Sequence, residues 1–448
     1  MTNILHITPH FGGGVGTVLT KLITALNNIS NFHNDVVTLE YANERAKEWS
    51  EDYGIRIYES IDPDSNWLHK KMQDADIVHI HFWNHPALYF LMNSFSGKIA
   101  RIVIWAHVNG HYAPYLFNNA ILNFPEMFVV STDYSLIQQT IAFRSEKWKE
   151  SHLRSIHSTA GLNGFDKIGK KEHRGVNVGY IGTVDYVKMH SAFIDICKSV
   201  RNSNVKFIVC GGNKHEEILA EAKVKGVAER FNFLGKVSDV KEVFSEIDIF
   251  AYPLNRKNYG TGEQVLIEAM SAGIPQIVFG NGNEEYVVKD GETGIICYSS
   301  EKFTEAIENL SNDKIKREEM SIDSRKYAKA KYNIRKSIGK WLTVYDTLLS
   351  REKNVCSFQV PKGKDLDIGT VLFLLALGEC QVKDLFLEIL KCYPNDIPPN
   401  LQERITNLPT IFKGRTRGSA RHYNHVFEST QLEYISKQLK KGRAAYVC

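Results

Sequence analysis

Short apolar runs alternate with segments of helical periodicity along most of this chain, and this rhythm constrains its fold more than any other feature. Residues 3–8 form an apolar run of strand length, and a glycine-rich loop and a helix with Val18, Leu22 and Leu26 on one face come after it. Similar apolar runs recur at residues 35–39, 55–58, 77–82, 101–105 and 127–130. Because parallel strands require crossover segments between them, this spacing predicts a parallel sheet with helices on both faces.

The alternation of apolar runs and helical segments is interrupted once and then resumes. A polar, basic stretch at residues 163–174 predicts a linker. Strand-length apolar runs then recur at residues 176–181, 205–209, 231–234, 247–252, 276–279 and 293–297. We therefore expect two doubly wound, Rossmann-like α/β domains, with a ligand cleft between them. Their predicted extents and those of the segments that follow are 1–165, 166–335, a returning helix at 336–350, and a helical extension of unknown role at 351–448.

Composition excludes several classes of protein. Lys and Arg total 55 against 51 Asp and Glu, a net charge of +4, so no strongly basic surface predicts nucleic-acid binding. The seven cysteines include no C-x-x-C pair, which is typical of a reduced protein without zinc ribbons. The densest apolar run, residues 371–377, is far shorter than the roughly 18 residues of a membrane span. We expect a cytoplasmic protein, with basic stretches at 413–421 and 437–443 as candidates for peripheral contact with the inner face of a membrane.

The most informative segment is residues 259–279. Thr261 and Gln264 fit a capping box, and Gly262 allows the backbone to approach a ligand. The free N–H groups at such a helix start favour an anion. Glu268 follows about one turn later, where a carboxylate can accept hydrogen bonds from sugar or ribose hydroxyls. Taken alone, the segment fits an ordinary surface helix with a solvated glutamate equally well.

This segment resembles the donor-binding motif of the glycosyl transferases group 1, the retaining family 4 of nucleotide-sugar enzymes with the GT-B fold. Residues 268–275, EAMSAGIP, match E-A-M-x-x-G-x-P, and residues 284–294 resemble E-x-V-x-D-G-x-T-G. The family's first glutamate falls at position 260, which is Gly260 here, and Glu263 is the nearest acid. The resemblance implies that Glu268 binds the nucleotide ribose and leaves Glu263 as the candidate to orient the sugar.

A second constellation follows the apolar run at residues 176–181. A strand that ends in glycine, with a lysine shortly after it, can place an ammonium group on a phosphate. Family members carry an arginine and a lysine here; Lys188 matches the lysine, and Thr183 replaces the arginine. Without the family context, a solvated surface lysine is the better interpretation of Lys188. The resemblance implies that the donor diphosphate is bound by Gly182, Thr183, Lys188, Thr261, Gly262 and Gln264.

A glycine-rich loop opens the first helix. Gly13, Gly14 and Gly16 do not fit G-x-G-x-x-G, and no Walker lysine follows, so a dinucleotide site and a P-loop are disfavoured. The resemblance includes a similar glycine pair, and the loop can offer backbone N–H groups to a diphosphate or an acceptor. A plain turn between strand and helix explains it equally well.

Histidines are the remaining candidates in the first domain. His107 follows the predicted strand at residues 101–105, and the resemblance implies that it is the active-site histidine that contacts the transferred sugar. His79 and His81 share a face of their strand, which raises the hypothesis of a metal site. Because no carboxylate lies nearby in the sequence, a structural or acceptor-lining role is favoured for both.

The resemblance implies a retaining glycosyltransferase that moves a sugar from a nucleotide-sugar donor to a saccharide or lipid-linked acceptor, in surface polysaccharide or glycan assembly. The resemblance implies that neither a cofactor nor a metal is needed. Gly260 and Thr183 depart from the family pattern, so two alternatives stay open. One is a non-catalytic binding or scaffold protein on a degenerate GT-B fold, and the other is a nucleotide-sugar epimerase.

Overall fold

The computed structural model describes residues 1–29, 31–162, 164–212, 214–261, 263–280, 282–361 and 365–441. The chain forms two compact units, one made of Met1–Ile156 with Ile338–Cys448 and the other of His157–Ser337. The boundaries at residues 165 and 335 expected from the sequence stay predictions. The C-terminal extension is part of the first unit.

The first unit contains a parallel sheet of seven strands in the order β3-β2-β1-β4-β6-β7-β8. Strands β4, β6 and β7 are buried along their whole length, as expected for parallel strands that helices cover on both faces. The elements of this part of the chain are β1 (Thr2–Thr8), α1 (Gly13–Asn27), β2 (Phe32–Thr38), α2 (Glu44–Tyr53), β3 (Arg56–Tyr58), α3 (Asn66–Asp74), β4 (Ile77–Phe82), α4 (Pro86–Ser94), β5 (Ile99–Ala100), β6 (Ile102–Ala106), α5 (Asn119–Asn123), β7 (Met127–Val130), α6 (Gln139–Ala142), α7 (Glu146–His152) and β8 (Leu153–Ser155).

The second unit repeats this architecture with six parallel strands in the order β11-β10-β9-β12-β13-β14. In each sheet the strand order reverses at one point, between β1 and β4 or between β9 and β12, and open α/β sheets bind ligands beyond the strand ends there. The elements are β9 (Val176–Ile181), α8 (Phe193–Ser199), β10 (Val205–Cys210), α9 (His215–Val224), β11 (Phe231–Gly235), α10 (Val240–Glu246), β12 (Ile249–Tyr252), α11 (Gln264–Ser271), β13 (Gln276–Phe279), α12 (Asn283–Val287), β14 (Gly294–Cys297), α13 (Ser300–Asn312) and α14 (Lys314–Lys331).

In the described rest of the chain, the regular elements are helices apart from the two-residue strand β15. Helices α16 and α20 pack against α4 of the first unit, and β15 pairs antiparallel with β5. In the described part of the chain, no helix combines the length and the apolar character needed to cross a bilayer. The elements are α15 (Ile334–Leu349), β15 (Asn354–Val355), α16 (Ile368–Leu377), α17 (Gln381–Lys391), α18 (Pro399–Thr406), α19 (Thr410–Lys413), α20 (Ala420–Phe427) and α21 (Thr430–Lys441).

The predicted fold class is confirmed: two α/β units with parallel sheets, followed by helices. The strands expected at residues 77–82, 127–130, 176–181 and 276–279 have the observed bounds. Strands β5, β8 and β15 were not predicted, because each has only two or three residues and no apolar run.

Ser429 caps helix α21, since its Oγ accepts a hydrogen bond from the N–H of Leu432 at 3.0 Å.

The Tyr423→Phe substitution should destabilise the first unit. The buried hydroxyl of Tyr423 donates to Oδ1 of Asn84 at 2.9 Å, so the variant leaves a buried acceptor without its donor. We expect the free energy of unfolding to fall by about 1–2 kcal/mol, measured by urea denaturation followed by circular dichroism. Tyr53→Phe, at an exposed tyrosine of the same unit, is the control, and equal transition midpoints for both variants would contradict the assigned role of this hydrogen bond.

Candidate functional site

In the second unit, two loops lie side by side where the strand order reverses. They follow the neighbouring strands β9 and β12. Met189 and Leu254 form an antiparallel bridge between the loops, and the N–H of Asn255 donates to the carbonyl of Lys188 at 2.8 Å. This pairing holds the backbone of both loops in place, so side chains that start from them have fixed origins.

A lysine and a glutamate form a buried ion pair between these loops. Lys188 Nζ lies 3.0 Å from Oε2 of Glu263, and the hydroxyl of Tyr252 donates to the same oxygen at 2.8 Å. The two charged side chains are only 16% and 5% exposed. The ammonium also lies 5.6 Å from the centre of the Tyr252 ring, which adds a cation–π contact. Removing one partner of such a pair would leave a buried charge uncompensated, so each side chain holds the other in position.

Gly260 and Glu263 compete for one space. A Cβ atom at Gly260 would collide with Oε1 of Glu263. The carboxylate of Glu263 therefore occupies the space that a glutamate at position 260 would need. Glu263 reaches it from a left-handed backbone with φ of 36°, a conformation that is strained for a residue with a side chain and that clusters at functional sites. The glycine that departs from the family motif thus makes room for an acid three residues later.

Sequence reasoning did not single out Glu284, a second acid of this cluster. It lies in α12 and is 1% exposed. Asn258 donates to its Oε1 at 3.4 Å, while its Oε2 is buried without a hydrogen-bond partner in the described part of the chain. Burial, together with the charge of Glu263, raises the pKa of Glu284 to about 8, so this carboxyl is protonated at neutral pH. Its place at the start of the matched run 284–294 was the available sequence signal.

The pKa of Lys188 is raised, which keeps its side chain positively charged. Burial alone would lower it, but the adjacent Glu263 raises it, with smaller contributions from Tyr259 and Glu284. Lys188 therefore stays an ammonium group although it is enclosed. The cluster thus combines a permanent cation, the acid paired with it and a protonated carboxylic acid that can donate a hydrogen bond.

Helix α11 begins later than predicted, at Gln264. Its N-cap is Glu263, whose side chain makes no capping hydrogen bond, so the capping box expected for Thr261 and Gln264 is wrong. Gln264 instead accepts from the N–H of Ala160 at 3.0 Å and donates to the carbonyl of Gly161 at 3.2 Å. This side chain therefore ties the start of α11 to the segment that enters the second unit.

Glu268 lies one turn further along α11 and is partly buried. Burial raises its pKa to about 7, although Gln264, which donates to it at 3.4 Å, acts in the opposite direction. Near neutral pH this carboxyl can accept or donate hydrogen bonds. Its assignment to the ribose stays a prediction.

The other residues predicted to bind the diphosphate belong to the same two loops. Gly182 follows β9 directly, and its N–H donates to the carbonyl of Cys210 at 3.0 Å. Thr183 comes next and is half-buried, while Thr261 is buried at the end of the second loop. Gly262 lies outside the described residues.

In the first unit, histidines form a buried hydrogen-bonded chain. His107 directly follows β6, and its Nε2 lies 3.1 Å from Nδ1 of His81 on β4. Nε2 of His81 lies 3.1 Å from Nδ1 of His6 on β1, and Nε2 of His6 lies 3.0 Å from Oδ1 of Asn34. The predicted active-site histidine is therefore the outer end of a chain that crosses three neighbouring strands.

The hydrogen bonds in this chain of histidines all run in one direction. The amide of Asn34 donates to Asn27 at 2.7 Å, so Oδ1 of Asn34 is the acceptor and His6 donates from Nε2. Nδ1 of His6 then accepts from His81, and Nδ1 of His81 accepts from His107. The hydrogen-bond network thus assigns the proton of neutral His107 to Nε2 and makes Nδ1 its acceptor nitrogen.

Burial keeps these imidazoles uncharged. It lowers the pKa of His107 to about 3 and that of His6 to about 4, and it holds the pKa of His79 and His81 well below the usual value. At neutral pH, His107 can therefore orient a ligand through hydrogen bonds but cannot supply a proton as an acid.

His6, His79 and His81 are close enough to share a metal ion. However, the hydrogen bond between His6 and His81 occupies one nitrogen of each, and Nδ1 of His79 lies 2.9 Å from the hydroxyl of Tyr345. This geometry supports a structural role for these rings.

The predicted glycine loop lies at the end of β1. Gly12 is the N-cap of α1, and Gly13, with φ of 60°, is its first residue. A Cβ atom at Gly13 or Gly14 would have no neighbour within 4 Å, whereas Gly16 is buried against Trp49. Only Gly13 and Gly14 therefore have open space beside them, and a role for the loop in ligand binding stays a prediction.

Comparison with known protein families matches residues 165–327 to the glycosyl transferases group 1. The N-acetyl-alpha-D-glucosaminyl L-malate synthase of Bacillus anthracis is 27% identical over 303 residues, which cover 63% of this chain and 77% of that protein. An uncharacterized glycosyltransferase of Haemophilus influenzae is 24% identical over 249 residues, which cover 53% of this chain and 68% of its own.

Among solved structures, the Anabaena protein HepE in complex with UDP is similar to this chain. The TM-score is 0.63 at 15% identity, and the match covers 78% of this chain and 100% of HepE. At this identity the likeness shows the fold.

The Glu284→Gln substitution should flatten the dependence of stability on pH. The folded-state pKa, about 8, lies above the ordinary value of 4.5, so the stability that the protonated form contributes is full below pH 4.5 and is lost as the pH rises through 8. Thermal melts at intervals from pH 5 to pH 9 should show a smaller decline for the variant than for the parent. Glu285→Gln, at the exposed neighbour, should keep the parent's decline, and a parent-like slope in Glu284→Gln would contradict a protonated Glu284.

Nitrogen-15 NMR of histidine-labelled protein should show His107 as the neutral tautomer with its proton on Nε2. Because burial lowers its pKa to about 3, its resonances should stay constant from pH 8 to pH 5. His81→Phe removes the acceptor for that proton, and we expect the tautomer preference to weaken. His425→Gln, at an exposed histidine, should leave the signals unchanged; a charged His107 at pH 6 would refute the directed chain.

Proposed function

This chain is a group 1 glycosyltransferase of the GT-B fold, and from that premise we propose that it transfers a sugar from a nucleotide-diphosphate donor to a hydroxyl acceptor with retention of configuration. The observation that carries the proposal is the buried Lys188–Glu263 pair between the loops after β9 and β12. HepE was solved in complexes with UDP and with UDP-glucose, which makes uridine diphosphate sugars the first donors to test.

In the proposed reaction, the bond between the anomeric carbon and the diphosphate oxygen breaks, and a bond to the acceptor oxygen forms on the same face. The proton of the acceptor hydroxyl passes to the departing diphosphate. Negative charge grows on that diphosphate as it leaves, and the ammonium of Lys188 is a preorganised cation to stabilise it. Glu263 holds the ammonium in place and, in the space beside Gly260, orients the sugar.

The other predicted residues have supporting roles in this proposal. His107, whose imidazole is neutral, contacts the transferred sugar, and Glu268 binds the ribose. Protonated Glu284 donates a hydrogen bond to a donor oxygen through the carboxyl oxygen that is unsatisfied in the described part of the chain. The proposed chemistry uses only these groups and needs no metal.

The ion pair also favours an enzyme over a scaffold protein. Buried pairs of charges can often be replaced by apolar residues with no loss of stability. A chain that had lost its ligand would therefore gain nothing from keeping Lys188, Glu263 and Tyr252 together at the ends of the strands. By family analogy, we place the reaction in the assembly of surface polysaccharide or another glycan, with a saccharide or lipid-linked acceptor.

The Lys188→Ala substitution should weaken donor binding or turnover by about 1–3 kcal/mol, as the loss of a charge-assisted hydrogen bond does. UDP affinity by calorimetry and hydrolysis of UDP-sugars without an acceptor would measure the loss. Lys214→Ala, at an exposed lysine of the same unit that pairs with Glu217, is the matched control. Parent-like donor kinetics in Lys188→Ala would show that the diphosphate binds elsewhere.

Incubation of the parent protein with a panel of nucleotide sugars separates the candidate functions. Slow hydrolysis of one donor, followed by chromatography of the products, is the result expected for a transferase. Interconversion of one donor sugar into another without an acceptor would identify an epimerase. Failure to bind any nucleoside diphosphate would overturn the proposal in favour of a scaffold.

A further inference from the structure

The C-terminal extension contributes a side chain to the strand-end face of the first unit. Helix α20 packs against α4, and the ring of His422 lies edge-on to the ring of His85, with their centres 4.5 Å apart. His85 follows β4, at the point where the strand order of this sheet reverses. The side chains of His85 and His422 lie beside Glu40, which follows β2, and potential ligand atoms of the three residues lie within 4.8 Å of one another.

Backbone hydrogen bonds assign the tautomer of both rings. Nδ1 of His85 accepts from the N–H of Ala87 at 3.3 Å, and Nδ1 of His422 accepts from the N–H of Gly418 at 3.2 Å. Each neutral ring therefore carries its proton on Nε2. For His85, that nitrogen lies 3.2 Å from Oε1 of Glu40 and donates to it.

These tautomers argue against a metal ion in this cluster. An ion bound at Nε2 requires the proton to sit on Nδ1, where it would face the N–H of Ala87 in His85 and that of Gly418 in His422. The cluster instead stabilises an ionised carboxylate. Burial would raise the pKa of Glu40, but the hydrogen bond from His85 lowers it below the usual value.

The carboxylate is accessible and lies beside aromatic surfaces. The side chain of Glu40 is 33% exposed, whereas His85 and His422 behind it are buried. Tyr41, which is 50% exposed, stacks on His10 with ring centres 5.2 Å apart and an angle of 7°.

This aromatic surface continues toward His107. His10 lies 5.0 Å from Trp83, and Trp83 lies 6.5 Å from His107, measured between ring centres. The strand-end loops fix these positions, since the N–H of Phe11 donates to the carbonyl of Tyr41 at 3.0 Å. A row of rings thus leads from the predicted active-site histidine to the carboxylate.

This combination of groups selects one class of ligand. Aromatic faces pack against the C–H faces of sugar rings, and a carboxylate accepts hydrogen bonds from hydroxyl groups. An ionised acid repels phosphate and carboxylate groups at close range.

On the basis of the proposed transferase function, we propose that Glu40 is the recognition group for an uncharged saccharide acceptor and that the buried His85 and His422 position it. The C-terminal extension then contributes a positioning residue, His422, to the acceptor site.

Binding to a glycan array tests the site without any turnover. The array would carry neutral oligosaccharides beside matched phosphorylated and uronic-acid forms. We expect the parent protein to bind neutral glycans, and Glu40→Gln and His422→Gln to lose this binding by about tenfold or more. His425→Gln, at an exposed histidine on the same helix, should bind as the parent does. Preference for the charged glycans, or unchanged binding in both test variants, would overturn the proposal.

Kinetics with a neutral acceptor from the array separates recognition from folding. We expect the acceptor KM to rise about tenfold or more in Glu40→Gln, with a smaller change in kcat. Glu40 is partly exposed, so this variant remains informative if His422→Gln folds poorly. A lower kcat with an unchanged acceptor KM in Glu40→Gln would contradict a recognition role.

Tight binding of Zn²⁺ that His422→Gln abolishes would identify a metal site instead and overturn the proposal. If the parent turns over no donor but binds neutral glycans, the proposed transferase function fails while this site stands.

Discussion

The buried ion pair of Lys188 and Glu263 is the interaction on which the candidate donor site depends. It connects the loops after β9 and β12, and Tyr252 adds a third group to the same oxygen. The charge of Glu263 also acts on its neighbours, since it helps to keep Lys188 charged and helps to keep Glu284 protonated. The pair therefore contributes to the protonation states of both neighbours, although burial is the main cause for Glu284.

The strand ends of the two units differ in their electrostatics. The second unit holds a cation, whereas the first unit holds imidazoles that burial keeps neutral. A neutral chain of rings has a fixed direction of hydrogen bonds, which a charged imidazole would disrupt because both of its nitrogens donate. The lowered pKa keeps His107 neutral, and a neutral His107 keeps the hydrogen bonds of the histidine chain in one direction.

The sequence predicted the sheets well because strand length and apolar burial act locally. Residues 77–82 are buried along their whole length and residues 176–181 almost so, as strands covered by helices on both faces are. The predicted start of α11 was wrong because Glu263 adopts a left-handed backbone conformation that no local propensity favours. The ion pair with Lys188 holds Glu263 in that conformation. The sequence also could not predict that the carboxylate of Glu263 fills the space beside Gly260. A motif gives residue types, but it does not give the direction from which a side chain approaches.

The role of the extension could not be read from sequence for a related reason. His422 lies on an amphipathic helix like many others, and only the packing of α20 on α4 brings it to His85. Once there, it packs edge-on against the ring of His85, which donates to Glu40, while burial lowers the pKa of His422 itself to about 3. In the proposed reaction, Glu40 of the first unit repels an anionic group, whereas Lys188 of the second unit attracts one.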